Sequence, residues 1–395
     1  MKSEWRTVAL GSVADLTVGF VGTMASNYTE TGIPFLRSTN IEPFDIKLDD
    51  IKYISSNFNE SLRKSELHPN DVVIVRTGTP GACAVIPAGV KAWNCSDLVI
   101  VRPHRNKLNP LFLASYVNLA SGVINTQLVG AVQQHYNVGA AKKMQIPLPP
   151  IGEQDKIASI IGMLNKKITI NSKINDNLEQ QAVTYFQELY INNANPMWQI
   201  GTISDLGTVV GGSTPSKTKP EYYTNNGIAW ITPKDLSINK SKFISHGEND
   251  ITELGLKNSS ATVMPKGTVL FSSRAPIGYI AIASNEVTTN QGFKSVVPYL
   301  EIGTAFVYFF LKHSLPVIES AASGSTFKEI SGSAMKNIPA IIPDRSTLDQ
   351  FNSFCAPIFA QQKILEDQNY SLAMLRDSLL PKLMSGAIDI ASIQL

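Results

Sequence analysis

A long internal repeat constrains the fold of this chain more than any other feature, because a duplicated sequence implies a duplicated domain. The segment from Leu10 to Leu16 resembles the segment from Ile200 to Leu206, and a tryptophan lies just upstream of each. The offset between matching segments stays between 190 and 197 residues along the chain. Solenoid repeats have periods of about 20–50 residues, so this period predicts two tandem domains. Three further pairs match: residues 32–36 with 227–231, 69–75 with 265–271, and 145–147 with 337–339.

Size and composition fit such an organisation. The chain has 395 residues, which exceeds a single ordinary core and favours two or three domains of about 100–200 residues each. Hydrophobic residues make up 43% of the chain and the mean hydropathy is zero, as in globular proteins. This composition excludes wholesale disorder.

Three further properties bound the functional class. No apolar run approaches the roughly 18 residues of a membrane span, and the first residues do not open a secretory signal, so we expect a cytoplasmic protein. The three cysteines lack CxxC spacing, which argues against a disulfide framework and a zinc site. The net charge of +2 is weak evidence about partners, since sequence-independent DNA binding usually shows as a strong basic excess.

Each half of the chain begins with short β-strands and ends with a helix. Runs such as Asp71 to Arg76 and Thr268 to Ser272 are β-branched or alternating and are bounded by Gly and Pro. The character changes after prolines at 147–150 in the first half and 339–343 in the second. Acidic residues follow each proline signal, as the first turn of a helix favours.

These two helices carry apolar residues in heptads. The first has Ile157, Leu164, Asn171, Leu178 and Tyr185 at seven-residue steps, each followed four residues later by a second seam position. The second helix repeats this spacing in the series Phe351, Ile358, Leu365, Leu372 and Leu379. Five heptads predict a coiled coil, whose polar seam residues fix register at a cost in stability. The alternative is two independent domains, each with its own packed helix.

We therefore predict an α+β fold in which two tandem, mostly-β domains are separated by two long helices that form an antiparallel coiled coil with pseudo-two-fold symmetry. At about 1.5 Å per residue, some 36 helical residues would make a rod of about 54 Å. Such a spacer suits a polymer with two separated sites, such as DNA half-sites one or more turns apart. The predicted boundaries are 1–150 for the first domain, 151–195 for the central helix, 196–343 for the second domain and 344–395 for the C-terminal helix and tail.

Several motifs resemble a known family. They are the stretch from Gly227 to Leu236 preceded by two tyrosines, the stretch from Ser272 to Gly278, the stretch from Asn290 to Lys294, and the ending from Leu379 to Gly386. Together with the order domain, helix, domain, helix, they resemble the specificity subunits of type I restriction-modification systems, whose domains are target-recognition domains. The first domain departs from these motifs: residues 76–81 and 94–97 differ from the corresponding elements of the second, as expected if each domain reads a different half-site.

The resemblance implies a DNA-binding subunit that recognises a bipartite sequence in double-stranded DNA. It also implies two methyltransferase subunits and restriction subunits as partners, with S-adenosylmethionine, ATP and Mg²⁺ bound by those partners and no cofactor on this chain. The helices would then be both spacer and docking platform.

The motifs of catalysis are missing, which agrees with a non-catalytic subunit. No GxxxxGK[ST] occurs, and the run from Asn109 to Phe112 only faintly echoes the Asn-Pro-Pro-Phe of methyltransferases, because Leu111 breaks it. The five histidines are scattered, without HExxH or a cysteine partner, so we expect neither a metal site nor a catalytic residue. Two alternatives stay open: a protein-binding scaffold built on a duplicated domain, and a standalone DNA-modifying enzyme.

If DNA is the ligand, base edges are read by Arg or Lys at guanine and by Asn or Gln at adenine. Loops of both domains carry such side chains, although each could instead support a turn. We expect Lys294 and Lys328 to contact phosphate, since lysine acts mainly as a point charge. The candidates in the first domain are Arg37, Ser38, Thr39, Asn40, Arg76, Thr77, Thr79, Gln133, Gln134, His135 and Tyr136. Those in the second domain are Thr232, Lys234, Asp235, Ser273, Arg274, Asn290, Gln291, Lys294, Ser325, Thr326 and Lys328.

Overall fold

A computed structural model describes residues 5–127, 136–324, 328–388 and 390. The chain divides into two compact units. The first unit joins Met1–Thr169 to Tyr370–Leu395, and the second is the continuous segment Ile170–Asn369. The first unit is therefore built from both ends of the chain, and each unit contains part of each long helix.

The first unit is a mixed α/β unit with two main sheets. Strand Val72–Val75 is buried on both faces: Val72 and Ile74 pack in one apolar cluster, whereas Val73 and Val75 pack in another. The four-stranded sheet has the order Cys83–Val85, Val72–Val75, Leu98–Pro103 and Ala14–Val18. The five-stranded sheet has the order Tyr28–Thr29, Lys52–Ile54, Ile33–Leu36, Trp93–Cys95 and Glu66–Leu67. Two further pairs are Arg6–Ala9 with Gln145–Leu148 and Ile41–Glu42 with Asp45–Ile46.

The second unit repeats this plan. Its central strand Val269–Ser273 places Val269 and Phe271 in one cluster and Leu270 in another. The five-stranded sheet has the order Gly207–Gly211, Lys294–Pro298, Val269–Ser273, Ile277–Ala283 and Phe243–Ile244. The four-stranded sheet has the order Tyr223–Thr224, Asn249–Ile251, Ile228–Ile231 and Thr288–Thr289. The remaining pair is Gln199–Thr202 with Pro339–Ile342.

The helices include two long ones, which we call the central helix (Ile151–Phe186) and the C-terminal helix (Arg345–Met384). A short π-helical segment, Gln187–Asn192, extends the central helix. The shorter α-helices are Ser56–Ser61, Pro110–Gln127, Val138–Lys143, Ile203–Leu206, Pro233–Ile238, Glu253–Lys257, Thr304–His313, Leu315–Ser320 and Gly332–Lys336. The 3-10 turns are Leu10–Ser12, Ala25–Asn27, Ser38–Asn40, Arg63–Ser65 and Pro220–Tyr222. No helix among the described residues is long and apolar enough to cross a membrane.

The strand pairs give the register of the repeat. Ala9 lies opposite Gln145 in the first unit, and Thr202 lies opposite Pro339 in the second, which sets the offset at 193 and 194 residues. Each unit also anchors a tryptophan to the start of a long helix: Trp5 donates to Glu153 and Trp198 donates to Asp344, both at 3.0 Å. The sequence match of Leu10–Leu16 with 200–206 was therefore wrong by three residues. Short segments of Leu, Ile, Gly and Asp align by chance, whereas backbone pairing does not.

In the first unit, the start of the central helix packs against the end of the C-terminal helix. Ile157 and Ile161 share a buried cluster with Leu380 and Leu383. The Arg376 guanidinium donates to the side-chain oxygen of Asn165 at 3.1 Å. The two helices are therefore paired antiparallel in this unit.

The second unit contains the other part of the same pairing. Phe186 of the central helix lies in the cluster that holds Phe351 of the C-terminal helix. The polar seam is hydrogen-bonded: Asn171 donates to Gln368 at 3.3 Å, and Gln362 donates to the backbone oxygen of Asn175 at 3.1 Å. The predicted α+β class with tandem domains and an antiparallel helix pair is confirmed. The alternative of two independently packed helices is wrong.

A buried lysine fastens the sheet of the second unit to both long helices. The Lys242 side chain donates to Glu179 of the central helix and, at 2.6 Å, to Gln362 of the C-terminal helix. Its ammonium also lies 4.2 Å from the ring centroid of Phe359. The backbone N–H groups of Lys242 and Phe243 donate to the Glu366 carboxylate. These contacts position the strand Phe243–Ile244 on the helix pair.

Candidate nucleic-acid interface

In the second unit, two candidate loops follow neighbouring strands. Ile228–Ile231 pairs in parallel with Thr288–Thr289, so both chains leave the sheet at the same edge. The N–H of Asn290 donates to the Ile231 oxygen at 3.0 Å, which joins the two loops directly. The loop after Ile231 and the loop after Thr289 therefore form one surface.

The first of these loops is a capped helix start. Thr232 caps the helix Pro233–Ile238, and its hydroxyl and N–H both donate to the Asp235 carboxylate. Asp235 is only 8% exposed and also accepts from the N–H of Glu248, so its oxygens hold the loop together. Lys234 is exposed and pairs with Glu248 at 2.6 Å. A direct contact between Asp235 and a ligand would require this loop to open, whereas Lys234 is accessible.

The second loop, residues 290–294, is held by local hydrogen bonds. The Asn290 side chain accepts from the N–H of Gly292 at 2.8 Å, and the exposed Gln291 side chain accepts from the Thr214 hydroxyl. Gly212 passes so close that an added Cβ would lie 2.0 Å from the Asn290 oxygen, which excludes any larger residue there. Asn290 thus shapes the loop and Gln291 projects from it.

A third loop follows the central strand and joins the same surface. The N–H of Ser273 donates to the Gly292 oxygen at 2.7 Å, although the Ser273 side chain itself is fully buried. The next residue, Arg274, lies with Nη1 3.4 Å from Glu329 Oε2. Lys294 approaches the other oxygen of Glu329 at 3.7 Å. One carboxylate therefore gathers two cations at the edge of the sheet, and the exposed Lys328 directly precedes it.

The first unit builds an equivalent edge. Ile33–Leu36 pairs in parallel with Trp93–Cys95, and the N–H of Ser96 donates to the Leu36 oxygen at 3.0 Å. Arg37 follows Leu36 and pairs with Asp50 at 2.8 Å. Ser38 is half-buried and Thr39 is exposed, so both are within reach of a ligand.

Asn40 has an internal role at this edge. It is 2% exposed, accepts from the Arg37 N–H and donates to the Lys47 oxygen. Sequence reasoning selected it as a base reader because asparagine suits adenine, but burial commits its side chain to the turn.

The glycine turn after the central strand supplies a second cation to this edge. Arg76 Nη1 lies 3.0 Å from Asp97 Oδ1, and the Thr77 hydroxyl donates to the other oxygen of Asp97 at 2.8 Å. Thr79 is exposed at the tip of the turn. Asp97 thus occupies the place that Glu329 has in the second unit, between loops that are distant in sequence.

The remaining candidates divide into two groups. Tyr136 packs against the core of the first unit and its hydroxyl contacts the Met144 sulfur at 3.6 Å; burial raises the pKa of this phenol. Five candidates lie outside the described residues: Gln133, Gln134, His135, Ser325 and Thr326.

Sequence reasoning missed the acidic partners and one hydroxyl. Asp97 and Glu329 were not selected because the search was for groups that suit guanine and adenine, and a lone acid far along the chain gives no signal. Thr214 was missed because its contact with Gln291 depends on the close approach at Gly212. An alignment of the two halves in the structural register would have drawn attention to both strand-end loops.

The thiols and acids of the described residues do not form a reactive centre. Cys83, Cys95 and Cys355 are buried, and burial raises the pKa of the Cys355 thiol to about 12. A thiol with a raised pKa is a poor nucleophile at neutral pH. In the described part of the chain, no group of three His, Cys, Asp or Glu side chains is placed to hold a metal ion.

Comparison with known proteins places this architecture. A relative from Methanocaldococcus jannaschii, the specificity subunit of type I restriction enzyme MjaIX, is 43% identical over 162 residues, covering 40% of this chain and 37% of that protein. A second protein of that organism, the putative type I restriction enzyme MjaX specificity subunit, is 22% identical and is covered to 79%, against 81% of this chain. The specificity subunit of HindI from Haemophilus influenzae is 28% identical, with 48% of this chain and 42% of that protein aligned.

The first two of the relatives matched, from MjaIX and HindI, are thus aligned over less than half of their own length. Among solved structures, the type I restriction-modification S subunit from M. genitalium has the same fold, with a TM-score of 0.59 at 15% identity and 96% of each chain covered. The sequence model of the type I restriction modification DNA specificity domain matches residues 2–180 and again residues 195–367. This chain therefore belongs to the family of the type I restriction modification DNA specificity domain and contains two copies of that domain.

Proposed function

We propose that this chain is the DNA sequence-specificity subunit of a type I restriction-modification complex. In this proposal it binds a bipartite target in double-stranded DNA and directs methyltransferase and restriction subunits to it. Family membership supports the DNA-binding role, and the duplicated units support a target in two parts.

One observation carries the proposal: both units build the same edge from the same strands, but with different side chains. In each unit a parallel strand pair ends beside the glycine-containing turn that follows the central strand, and an acid joins the loops. The first unit places Arg37, Arg76 and Asp97 there, whereas the second places Thr232, Arg274 and Glu329. A common scaffold with different polar groups suits two reading surfaces with different half-sites.

The side chains at these edges match the chemistry of base recognition. Arginine donates a fork of hydrogen bonds to guanine, glutamine pairs with adenine, and a carboxylate accepts from the cytosine amino group. The ion pairs Arg76–Asp97 and Arg274–Glu329 hold the guanidinium groups in place before DNA arrives. On binding, each pair could turn to a guanine–cytosine pair without leaving either charge unpaired.

The buried candidates are assigned a supporting role in this scheme. Asn40, Asp235 and Ser273 have little or no exposed surface, so they fix the loops from which their neighbours reach the DNA. The exposed candidates Thr39, Thr79, Lys234, Gln291 and Lys328 are then the accessible donors and acceptors.

The chemistry of methylation and cleavage is assigned to the partners. We infer that the chain itself is non-catalytic and works in the cytoplasm with two methyltransferase subunits and with restriction subunits. S-adenosylmethionine, ATP and Mg²⁺ would be bound by those subunits. The paired long helices are proposed as both spacer and docking platform.

The decisive experiment maps methylated adenines in DNA exposed to the full chain together with type I methyltransferase subunits from the same organism. The proposal predicts methylation at a split sequence that depends on this chain. Matched variants test the two edges: Arg76→Ala and Arg274→Ala against the exposed controls Lys91→Ala and Lys266→Ala. Complexes that assemble but methylate without any common sequence would contradict the proposal, and a protein-binding scaffold would show no sequence-dependent DNA affinity.

A further inference from the structure

An open cavity of about 460 Å³ lies beside the candidate interface of the second unit. Its lining includes Lys294 and Lys336, with the polar side chains of Ser204, Ser333 and Asn337. Lys294 connects the cavity to the interface, because it ends the loop of Asn290 and Gln291 and pairs with Gly211 across the sheet. The cavity is therefore continuous with the loops proposed to read bases.

The charge of this cavity is positive. None of its described lining residues is acidic, and the nearest carboxylate recorded for Lys294 is Glu329, at 3.7 Å. That separation exceeds hydrogen-bond length, so the Lys294 ammonium keeps donors available for another acceptor. Lys336 is exposed at the end of the helix Gly332–Lys336.

The same lysine position recurs in the first unit. Asn137 caps the helix Val138–Lys143 by accepting from the N–H three residues on, and Ser331 caps Gly332–Lys336 in the same way. Lys142 and Lys336 both stand five residues after their cap, and both are exposed. Each backbone also packs on the equivalent turn: an added Cβ on Gly11 would lie 3.2 Å from the Lys142 oxygen, and Ser204 donates to the Lys336 oxygen at 3.2 Å. The repeat therefore presents one cation at the same place in both units.

We propose that Lys336 and Lys294 bind a backbone phosphate of the DNA beside the bases read by the second unit, and that Lys142 makes the equivalent contact in the first. This proposal rests on the proposed function, because it needs DNA on the candidate interface. Lysine acts as a point charge suited to phosphate, and hydroxyl and amide groups in the cavity can donate to the remaining phosphate oxygens. Such contacts position the duplex and carry no base sequence.

The test measures how DNA affinity of the full chain depends on salt. Duplexes with and without the mapped methylation site are titrated at several KCl concentrations, for the wild type, Lys336→Gln, Lys142→Gln and Lys294→Gln/Lys336→Gln. Each lost phosphate contact should lower the slope of log affinity against log salt by about 0.9. The same relation makes binding about 8-fold weaker per lysine at 0.1 M salt. The loss should be equal on both duplexes.

Two controls separate charge from structure. Lys336→Arg keeps the cation and should keep the wild-type slope, and Lys266→Gln removes an exposed lysine before the start of the strand that ends at Ser273. Lys266→Gln should leave the slope unchanged. The methylated sequence should stay the same in every variant.

The outcomes distinguish the two levels of the proposal. If the wild type shows no preference for the mapped duplex, the proposed function fails. If it binds that duplex and the Lys336→Gln and Lys142→Gln slopes equal the wild-type slope, the phosphate contact is overturned while the function stands. Inorganic phosphate, titrated at constant ionic strength, provides the third arm: saturable binding that depends on Lys336, with unchanged DNA slopes, would identify a small-anion site and also overturn the inference.

Discussion

Removing the ammonium of Lys242 should destabilise the second unit by about 3 kcal/mol. Lys242 is 7% exposed, and Lys242→Met keeps the aliphatic stem but leaves the Gln362 oxygen without its donor. Breaking a buried ion pair typically costs about 3–5 kcal/mol. The lower end applies here because Glu179 keeps a second partner, Lys312, at 2.6 Å.

The expected shift is measurable by calorimetry on the full chain. For a unit of the size of Ile170–Asn369, each kcal/mol moves the midpoint by about 2–4 °C, so a fall of about 6–12 °C is expected. Hydrogen-exchange mass spectrometry assigns the shifted transition to peptides of the second unit. This assignment is needed because a chain with two units need not unfold in one step.

The matched control is Lys312→Met, which removes the other cation from the same carboxylate. The Lys312 side chain is 38% exposed, so its loss should cost less than about 1 kcal/mol. In the double variant Lys242→Met/Glu179→Gln, the stranded carboxylate is gone and part of the stability should return. Equal shifts for Lys242→Met and Lys312→Met would refute the argument that burial makes the Lys242 contact strong.

Three other predictions concern pH, base recognition and spacing. Burial raises the pKa of Glu179, but the ammonium groups of Lys242 and Lys312 together hold it below its ordinary value; its contribution to stability is thus present at neutral pH and is lost as the pH falls through this lowered pKa. The stability gap between wild type and Glu179→Gln in urea unfolding should accordingly narrow below about pH 4.5, and a gap that widened on acidification would contradict this sign. Arg274→Ala should weaken methylation at one half-site by about 1–3 kcal/mol, or roughly 5- to 150-fold, and Arg76→Ala should do so at the other; normal methylation kinetics on cognate DNA would remove both arginines from the interface. Adding seven residues to both long helices, about 10 Å of rise, should lengthen the tolerated spacer by about 3 base pairs, and a change in the half-site bases instead would show that the helices do not set the spacing.

The sequence predicted the helix pair better than the interface. A heptad pattern depends on residue spacing alone, and the burial of Ile157, Ile161, Phe351 and Ile358 follows it directly. The caps were also readable, since a hydroxyl or amide before a short helix has a local partner. Register between repeats was harder, because the true offset is fixed by strands that pair across some 140 residues.

The interface depended on contacts that no local pattern encodes. Asn40 and Ser273 have the right chemistry for DNA, but burial commits them to the fold. Asp97 and Glu329 became visible only when folding brought them to Arg76 and Arg274. The Lys242 network was equally hidden, because its members come from one strand, one loop and two helices separated by more than a hundred residues.

The discontinuous first unit has a consequence for how the chain is made. Its core needs Leu380, Leu383 and Met384, which lie close to the C-terminal end of the sequence. The second unit is one continuous segment and has all of its residues once Asn369 has been synthesised. During translation the later-encoded unit can therefore complete its core first, and the N-terminal unit waits, unfinished, for the last turns of a helix that leaves the ribosome after everything else it packs against.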